Sequence, residues 1–272
     1  LQIVKGNVED SSFMDSKTKD HDVIFHLAAL IGIPYSYEAP LSYVKTNIEG
    51  TVNVLEAARR NDVDLVVNTS TSETYGSAIY TPIDELHPLQ GQSPYSASKI
   101  SADKIAESYF NSFDLPVITV RPFNTFGPRQ STRAVIPTII SQLLTEKEIS
   151  LGDTSPVRDF TYVDDTANGF ICAANNDNNH GEVINLGYGK AASIGEIAKL
   201  IMNIMNIKKE IISQNSRIRP KNSEVIHLIS DNKKAADLIK WQPEVSFQEG
   251  LEKTIKFVET NIDLFKTDSY SI

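Results

Sequence analysis

The order of this sequence predicts a doubly wound parallel α/β sheet with a smaller α/β substrate-binding part attached. Three observations carry that prediction. Short runs rich in Val, Ile and Leu alternate with longer segments of helical periodicity. The runs are apolar at nearly every position, as strands covered on both faces are. No tandem repeat or linker divides the 272 residues. An apolar share of 40% with 13 Gly and 12 Pro belongs to a packed core rather than a disordered chain.

Gln2–Val4, Val23–Leu27, Leu65–Asn68, Val117–Val120 and Val183–Leu186 are the predicted strands. Tyr43–Asn61, Tyr95–Ser112, Ile136–Lys147, Asp164–Ala174, Ile194–Met205 and Phe247–Asn261 place apolar residues three and four apart, which predicts helices. After Val120 the texture changes. Pro122, Pro128, Pro137 and Pro156 interrupt the chain, and the short strand-like pieces Glu148–Leu151 and Glu210–Ile212 appear between helices. Residues 1–122 with about 161–186 are therefore assigned to a cofactor-binding domain, and about 123–160 with 187–272 to the substrate-binding part. A crevice between them would lie at the carboxyl ends of the strands, where open α/β sheets take ligands.

Charge and cysteine content narrow the classes. The 26 Lys and Arg against 35 Asp and Glu give a net charge of −9, which disfavours nucleic acid and anionic membrane as partners. Cys172 is the single cysteine, so an internal disulfide and a Cys-rich zinc site are excluded, no metal is expected, and the cytoplasm is the natural compartment. The chain opens Leu1-Gln2-Ile3-Val4, which reads as a strand in progress without a charged leader or signal segment.

Two motifs carry chemistry. In Tyr95-Ser96-Ala97-Ser98-Lys99, Tyr and Lys stand four apart and share one helix face. Ten Tyr and 18 Lys would produce about 0.7 such pairs by chance, so the pair needs context. A Tyr acting as a base near neutral pH must lose about three pKa units, roughly 4 kcal/mol, which a nearby ammonium and a cationic nicotinamide would supply. The context is Ser70-Thr71-Ser72-Glu73-Thr74-Tyr75-Gly76, directly after the strand Leu65–Asn68. Hydroxyl, carboxylate, phenol and ammonium together are the groups needed to oxidise an alcohol and then remove a proton beside the new carbonyl. Gly187-Tyr188-Gly189-Lys190-Ala191-Ala192 satisfies a dinucleotide-binding pattern on paper, but the 80 residues after Ala192 are too few for another cofactor domain.

His26-Leu27-Ala28-Ala29, Thr46-Asn47 with Gly50-Thr51 and Asn53, Ser70–Gly76, Tyr95–Lys99, Arg121-Pro122-Phe123-Asn124 with Gly127-Pro128-Arg129, Arg158-Asp159-Phe160 with Val163-Asp164-Asp165, and Trp241 with Pro243 and Gly250-Leu251 share one order and spacing. It resembles that of the extended short-chain dehydrogenase/reductases acting on nucleotide sugars, over essentially the whole chain. Ala28–Pro34, Pro88–Ile100 and Val135–Leu144 look most like the NAD-dependent 4,6-dehydratases of nucleotide-activated N-acetylglucosamine, such as those of the legionaminic acid pathway. The resemblance implies a Rossmann-type sheet lacking its first strands, with the glycine turn upstream of Leu1 in a missing βαβ portion of roughly 50 residues.

By the same resemblance, Tyr95 takes the sugar 4-hydroxyl proton. Lys99 holds the nicotinamide ribose and depresses the Tyr95 pKa, while Thr71 hydrogen-bonds the same sugar oxygen. Glu73 removes the C5 proton. Ser72 stands where related dehydratases often place an Asp acid, so either Ser72 hydrogen-bonds the leaving oxygen or protonated Glu73 supplies the proton. Asn7, Val8, His26, Ala28, Ala29 and Asn47 are implied on the NAD side, and Asn124, Arg158 and Arg219 on the nucleotide sugar. The expected reaction is 4,6-dehydration of a nucleotide hexose such as UDP-N-acetylglucosamine, by a homodimer paired through Tyr43–Asn61 and Tyr95–Ser112. The alternatives are a 4-epimerase, a UDP-glucuronate decarboxylase, and a chain that binds nucleotide sugar without catalysis.

Overall fold

The computed structural model describes residues 1–176, 179–214, 220 and 223–265. Its central layer is a parallel sheet in the order β1 (Val23–His26), β2 (Leu65–Thr69), β3 (Val117–Pro122), β7 (Val183–Leu186). Val23 pairs with Leu65, Val66 with Val117 and Thr119 with Val183, so the strands end at a common carboxyl edge. Side chains alternate across this sheet with the period of two that a pleat imposes. Val66 and Val117 pack under α4 (Gly50–Arg60) and α5 (Pro94–Phe113) through Val54, Leu55, Ala58, Ala106 and Tyr109. Leu65, Val67, Ile118 and Val120 face the other way, onto Phe170 and Ala173 of α7 (Val163–Ala174) and Ala235 and Ile239 of α9 (Lys233–Ile239), with Trp241 beside them. Helices on both faces make the doubly wound class a finding.

A second group of strands is built after β3. β4 (Asn124–Phe126), β6 (Val157–Tyr162) and β10 (His227–Leu228) run parallel in the order β10-β6-β4, and β8 (Ala191–Ser193) pairs antiparallel with β6. β5 (Ile149–Leu151) and β9 (Ile211–Ser213) form a separate parallel pair. Their core is Phe126, Ile136, Ile139, Ile140, Leu143, Ile197, Ile201 and Leu251, supplied mainly by α6 (Val135–Thr145), α8 (Ile194–Met205) and α10 (Phe247–Thr260).

Local signals explain the helix starts. Ser93 and Ser96 form a capping box with Pro94 in the first turn of α5, and Ser193 and Glu196 form one at α8. α5 stops at Asp114, which takes a left-handed conformation at φ 53°. Three expectations are corrected. Gln2–Val4 forms no strand, because its backbone finds no ladder partner among the described residues and Ile3 is 89% exposed. The segment Tyr43–Asn61 is not one regular helix: a short α3 (Pro40–Tyr43) passes into a π-turn at Val44–Glu49 before α4 begins. There the Gly50 N–H reaches back five residues to the Lys45 carbonyl. The strand at 23–27 is present as β1, Val23–His26, but one of its faces is left uncovered by the described residues, so Val23 and Phe25 are exposed on it, as is Leu27 just beyond. α1 (Ser11–Thr18) and α2 (Ile33–Glu38) were not predicted.

Candidate active site

The chain leaves β2 at Thr69 and turns at once into a single 3₁₀ turn, Ser72–Tyr75. Thr71 caps that turn, its Oγ1 accepting from the Glu73 N–H at 3.3 Å. The turn is pinned further by Thr74 Oγ1 donating to the Thr71 carbonyl at 2.7 Å. It ends on Gly76 at φ +61°, where a Cβ would stand 2.8 Å from Gln90 Cβ and 3.0 Å from the Gln90 carbonyl oxygen. Glycine is required there on both counts. The turn thus presents Thr71 and Glu73, both partly exposed, at the carboxyl edge of the sheet, with Ser72 buried beneath.

α5 brings the other two groups to this edge. Tyr95 lies in its first turn and Lys99 one turn on, both almost wholly buried. The Tyr43 ring packs edge-on against Tyr95 at 6.2 Å between centroids, and Tyr43 donates its hydroxyl proton to the Gly32 carbonyl. Burial pushes the Tyr95 phenol far above its ordinary value; a hydrogen bond with Thr71 pulls it down, and the charges of Glu73, Tyr43 and Asp103 push it up. In the protein alone the phenol thus stands above its ordinary value, with burial the largest cause. Lys99 donates to the Thr69 carbonyl at 2.6 Å, and burial holds its ammonium below the ordinary lysine range while Asp103 raises it. Thr71, Glu73, Tyr95 and Lys99 are nonetheless gathered by β2, the 3₁₀ turn and α5 at one place.

His26 ends β1 and is buried beneath this edge. The Thr51 hydroxyl donates to the Asn47 carbonyl at 2.7 Å, so at 2.9 Å it can only accept from His26, which assigns the proton to Nε2. Burial first, and the Lys99 charge second, lower His26 from 6.5 to about 4. Ala28 and Ala29 follow in a loop whose Leu30 is stapled by Asn47. Asn47 Oδ1 accepts from Leu30 N at 2.8 Å, and Nδ2 donates to Leu30 O and Ser98 Oγ at 3.0 and 2.9 Å. With its amide engaged inside the protein, Asn47 holds that loop against α5. Asn7 is exposed and turns Oδ1 back to the Glu9 N–H, while Val8 packs on α4.

On the substrate side, Asn124 opens β4 with its Oδ1 buried and without a protein partner. Arg158, on β6, is buried and donates to Glu224 Oε1 at 3.1 Å and to the Val157 carbonyl at 3.1 Å. Arg219 lies outside the described residues. The glycine-rich text at 187–192 leads into β8, and its Tyr188 and Gly189 N–H groups donate to the two Asp159 carboxylate oxygens at 2.7 and 2.9 Å. A protein carboxylate therefore fills the amide cradle that a phosphate would need there. Sequence reasoning missed Asp103, Tyr75, Glu224 and this role of Asp159. Asp103 had a signal, since it is the next polar residue at the four-residue spacing of Tyr95 and Lys99.

Comparison with known proteins bears on this constellation. The sequence profile of the GDP-mannose 4,6 dehydratase family matches residues 1–254. A dTDP-glucose 4,6-dehydratase of Streptomyces antibioticus is 31% identical over 96% of this chain and 77% of its own length. A UDP-N-acetylglucosamine 4-epimerase of Methanobrevibacter ruminantium, solved with UDP-N-acetylmuramic acid, superposes with a TM-score of 0.87 at 31% identity, over 96% of this chain and 84% of its own. A double mutant of the dTDP-glucose 4,6-dehydratase of Streptomyces venezuelae, solved with NAD, gives a TM-score of 0.88 at 27% identity, over 97% and 81% of the two chains.

Proposed function

This chain belongs to the GDP-mannose 4,6 dehydratase family, whose relatives are nucleotide-sugar dehydratases and epimerases, and on that premise we propose that it dehydrates a nucleotide-activated hexose with NAD as cofactor. UDP-N-acetylglucosamine is the substrate we assign, with a 4-keto-6-deoxy sugar as product. The division of the chain into a cofactor part (1–122 with about 161–186) and a substrate part (about 123–160 with 187–272) belongs to the same reading.

The residues present fit the cofactor. Among the described residues the Lys99 ammonium makes one hydrogen bond, which leaves two N–H donors for ribose hydroxyls, and the adjacent Thr69 Oγ1 is buried without a partner. Ala28 is exposed and offers only a methyl group. NAD, when bound, supplies a hydride acceptor and donor for the sugar carbons. Tyr95 takes the 4-hydroxyl proton, Thr71 hydrogen-bonds the same oxygen, and Lys99 supplies the positive charge that burial of Tyr95 makes necessary. Asn124, with a free buried acceptor, and Arg158, with a guanidinium suited to diphosphate oxygens, are assigned to the nucleotide sugar.

The observation that carries dehydration over epimerisation is Glu73, a carboxylate on the same turn as Thr71 and close enough for its charge to act on the Tyr95 phenol. A proton beside a carbonyl is within reach of such a base, and Tyr95 and Thr71 would hold the resulting enolate oxygen. Ser72, buried behind Glu73, is too weak an acid to protonate the departing 6-hydroxyl, so that proton comes back from Glu73. Epimerisation needs no carboxylate at this position, and the likeness to a UDP-N-acetylglucosamine 4-epimerase makes it the second reading.

The test incubates the protein, with any native residues upstream of Leu1, with UDP-N-acetylglucosamine and NAD and follows product mass. Loss of one water from the sugar is expected, and Glu73→Gln should lower its rate at least ~100-fold, within the usual worth of a general base. Product of unchanged mass and inverted C4 configuration, undiminished in Glu73→Gln, would establish the epimerase instead.

A further inference from the structure

A chain of buried hydrogen bonds runs behind the site and joins its two halves. Asp103 lies one turn along α5 from Lys99 and is 4% exposed. Its Oδ2 accepts from Ser70 Oγ at 2.7 Å and from Arg121 Nε and Nη2 at 3.1 and 2.9 Å. Arg121, on β3, donates from Nη1 to the Tyr75 hydroxyl at 3.0 Å, and Tyr75 donates to Asn185 Oδ1 at 2.7 Å. Asn185, on β7, ends the chain by donating from Nδ2 to the Ile83 carbonyl at 3.2 Å.

The polarity of this chain is fixed by its members. A guanidinium can only donate and the Asp103 carboxylate accepts, so the Tyr75 hydroxyl must accept from Arg121 and pass its own proton to Asn185. Tyr75 and Asn185 are wholly buried, and turning any one of these groups would strand a polar atom away from water. A buried ion pair taken alone would be explained by packing and is weak evidence of anything more. Here its connections exceed packing. Ser70 and Tyr75 bracket the turn that carries Thr71, Ser72 and Glu73, whereas Asp103 extends the face of α5 that carries Tyr95 and Lys99. The relay thus ties two segments, more than 20 residues apart in sequence, whose relative placement the chemistry requires.

We infer that Asp103, Arg121 and Tyr75 are positioning residues that hold the Thr71–Glu73 turn in register with Tyr95 and Lys99. The inference rests on the reading that those five residues perform the reaction, and it gives the three buried groups no contact with substrate. Asp103 has a second consequence in the same direction: its charge supports the Lys99 ammonium against burial.

Tyr75→Phe is the sharpest probe, because it keeps the ring that lies 5.0 Å from the Arg121 guanidinium carbon and removes only the hydroxyl. In the full chain, kcat for the nucleotide sugar should fall about tenfold or more with KM within about twofold, the pattern of lost positioning rather than lost binding. Amide exchange should quicken by a similar factor at Thr74 and Gly76, whose N–H groups close the turn on Thr71 and Glu73, while β2 and β3 stay protected. A second protein, Asp103→Leu combined with Arg121→Met, removes the charges together and so avoids leaving one of them buried alone. It should fold and still show low kcat and an unprotected turn. Wild-type kcat and turn protection in either protein would overturn the inference. Exchange needs no turnover, so a turn loosened by Tyr75→Phe in a chain that acts on no nucleotide sugar would refute the functional reading and leave the relay standing.

Discussion

His26 and Asp159 are two buried ionisable groups whose effects on stability oppose each other. The unfolded chain protonates His26 near 6.5 and the native chain only near 4, so stability is lost as pH falls through that interval, by about 3 kcal/mol in all. Asp159 is pushed up from 3.8 to about 6 because burial outweighs the N–H donations from Ser230, Tyr188 and Gly189. The native chain then holds a proton that the unfolded chain releases, and stability is lost as pH rises from 3.8 to 6, again by about 3 kcal/mol. The two slopes largely cancel between pH 4 and 6. Substituting His26→Gln should remove one of them, so the wild-type urea midpoint, measured relative to the variant, should climb from pH 4 to 6.5. A constant difference between the two titrations would refute this assignment. Neither group's environment was legible beforehand: Arg158-Asp159 reads as polar text, and only the fold shows that the turn at 187–189 closes over the carboxylate.

At the level of elements, legibility followed length and caps. Ile194–Met205 was placed to the residue because about three turns of apolar spacing begin at a Ser-x-x-Glu cap. β4, β8 and β10 have two or three residues each, too few for any periodicity to show, and only their pairing with β6 defines them. The Thr71–Tyr75 element was legible as chemistry but not as a 3₁₀ turn, since its shape depends on Gln90 crossing behind Gly76. That crossing makes Gly76→Ala costly. A left-handed φ and a clash with the Gln90 backbone should together remove about 1–3 kcal/mol of stability. Thermal unfolding measures the loss, and a midpoint equal to wild type would show that Gln90 moves aside freely.

For the molecule as a whole, the four-stranded sheet and its helices were readable from the βα alternation, whereas the lattice of bonds from β3 and β7 to the site was not. Such bonds join residues far apart in sequence, Tyr75 to Asn185 among them, and no local pattern encodes them. The proposal of a homodimer belongs at this scale. Val44 is 47% exposed and Ala97 is exposed on α5, so the two segments expected to pair, Tyr43–Asn61 and Tyr95–Ser112, each leave an apolar or small side chain uncovered. Light scattering should give twice the chain mass, and Val44→Glu, which sets two like charges against an isologous contact, should halve it. A wild-type monomer would remove the dimer from the reading. No helix among the described residues is long and apolar enough to cross a membrane.

The π-turn at Val44–Glu49 bears on how this chain can change over generations. An i to i+5 bond accommodates one residue more than an α-turn, and Asn47, which fastens the Leu30 loop to Ser98, sits inside it. Deleting one residue of that turn ahead of Asn47 would restore a regular helix and swing Asn47 about 100° around its axis relative to α3, away from both partners. Descendants of this gene can therefore exchange side chains between Val44 and Glu49 far more freely than they can lose a single codon there.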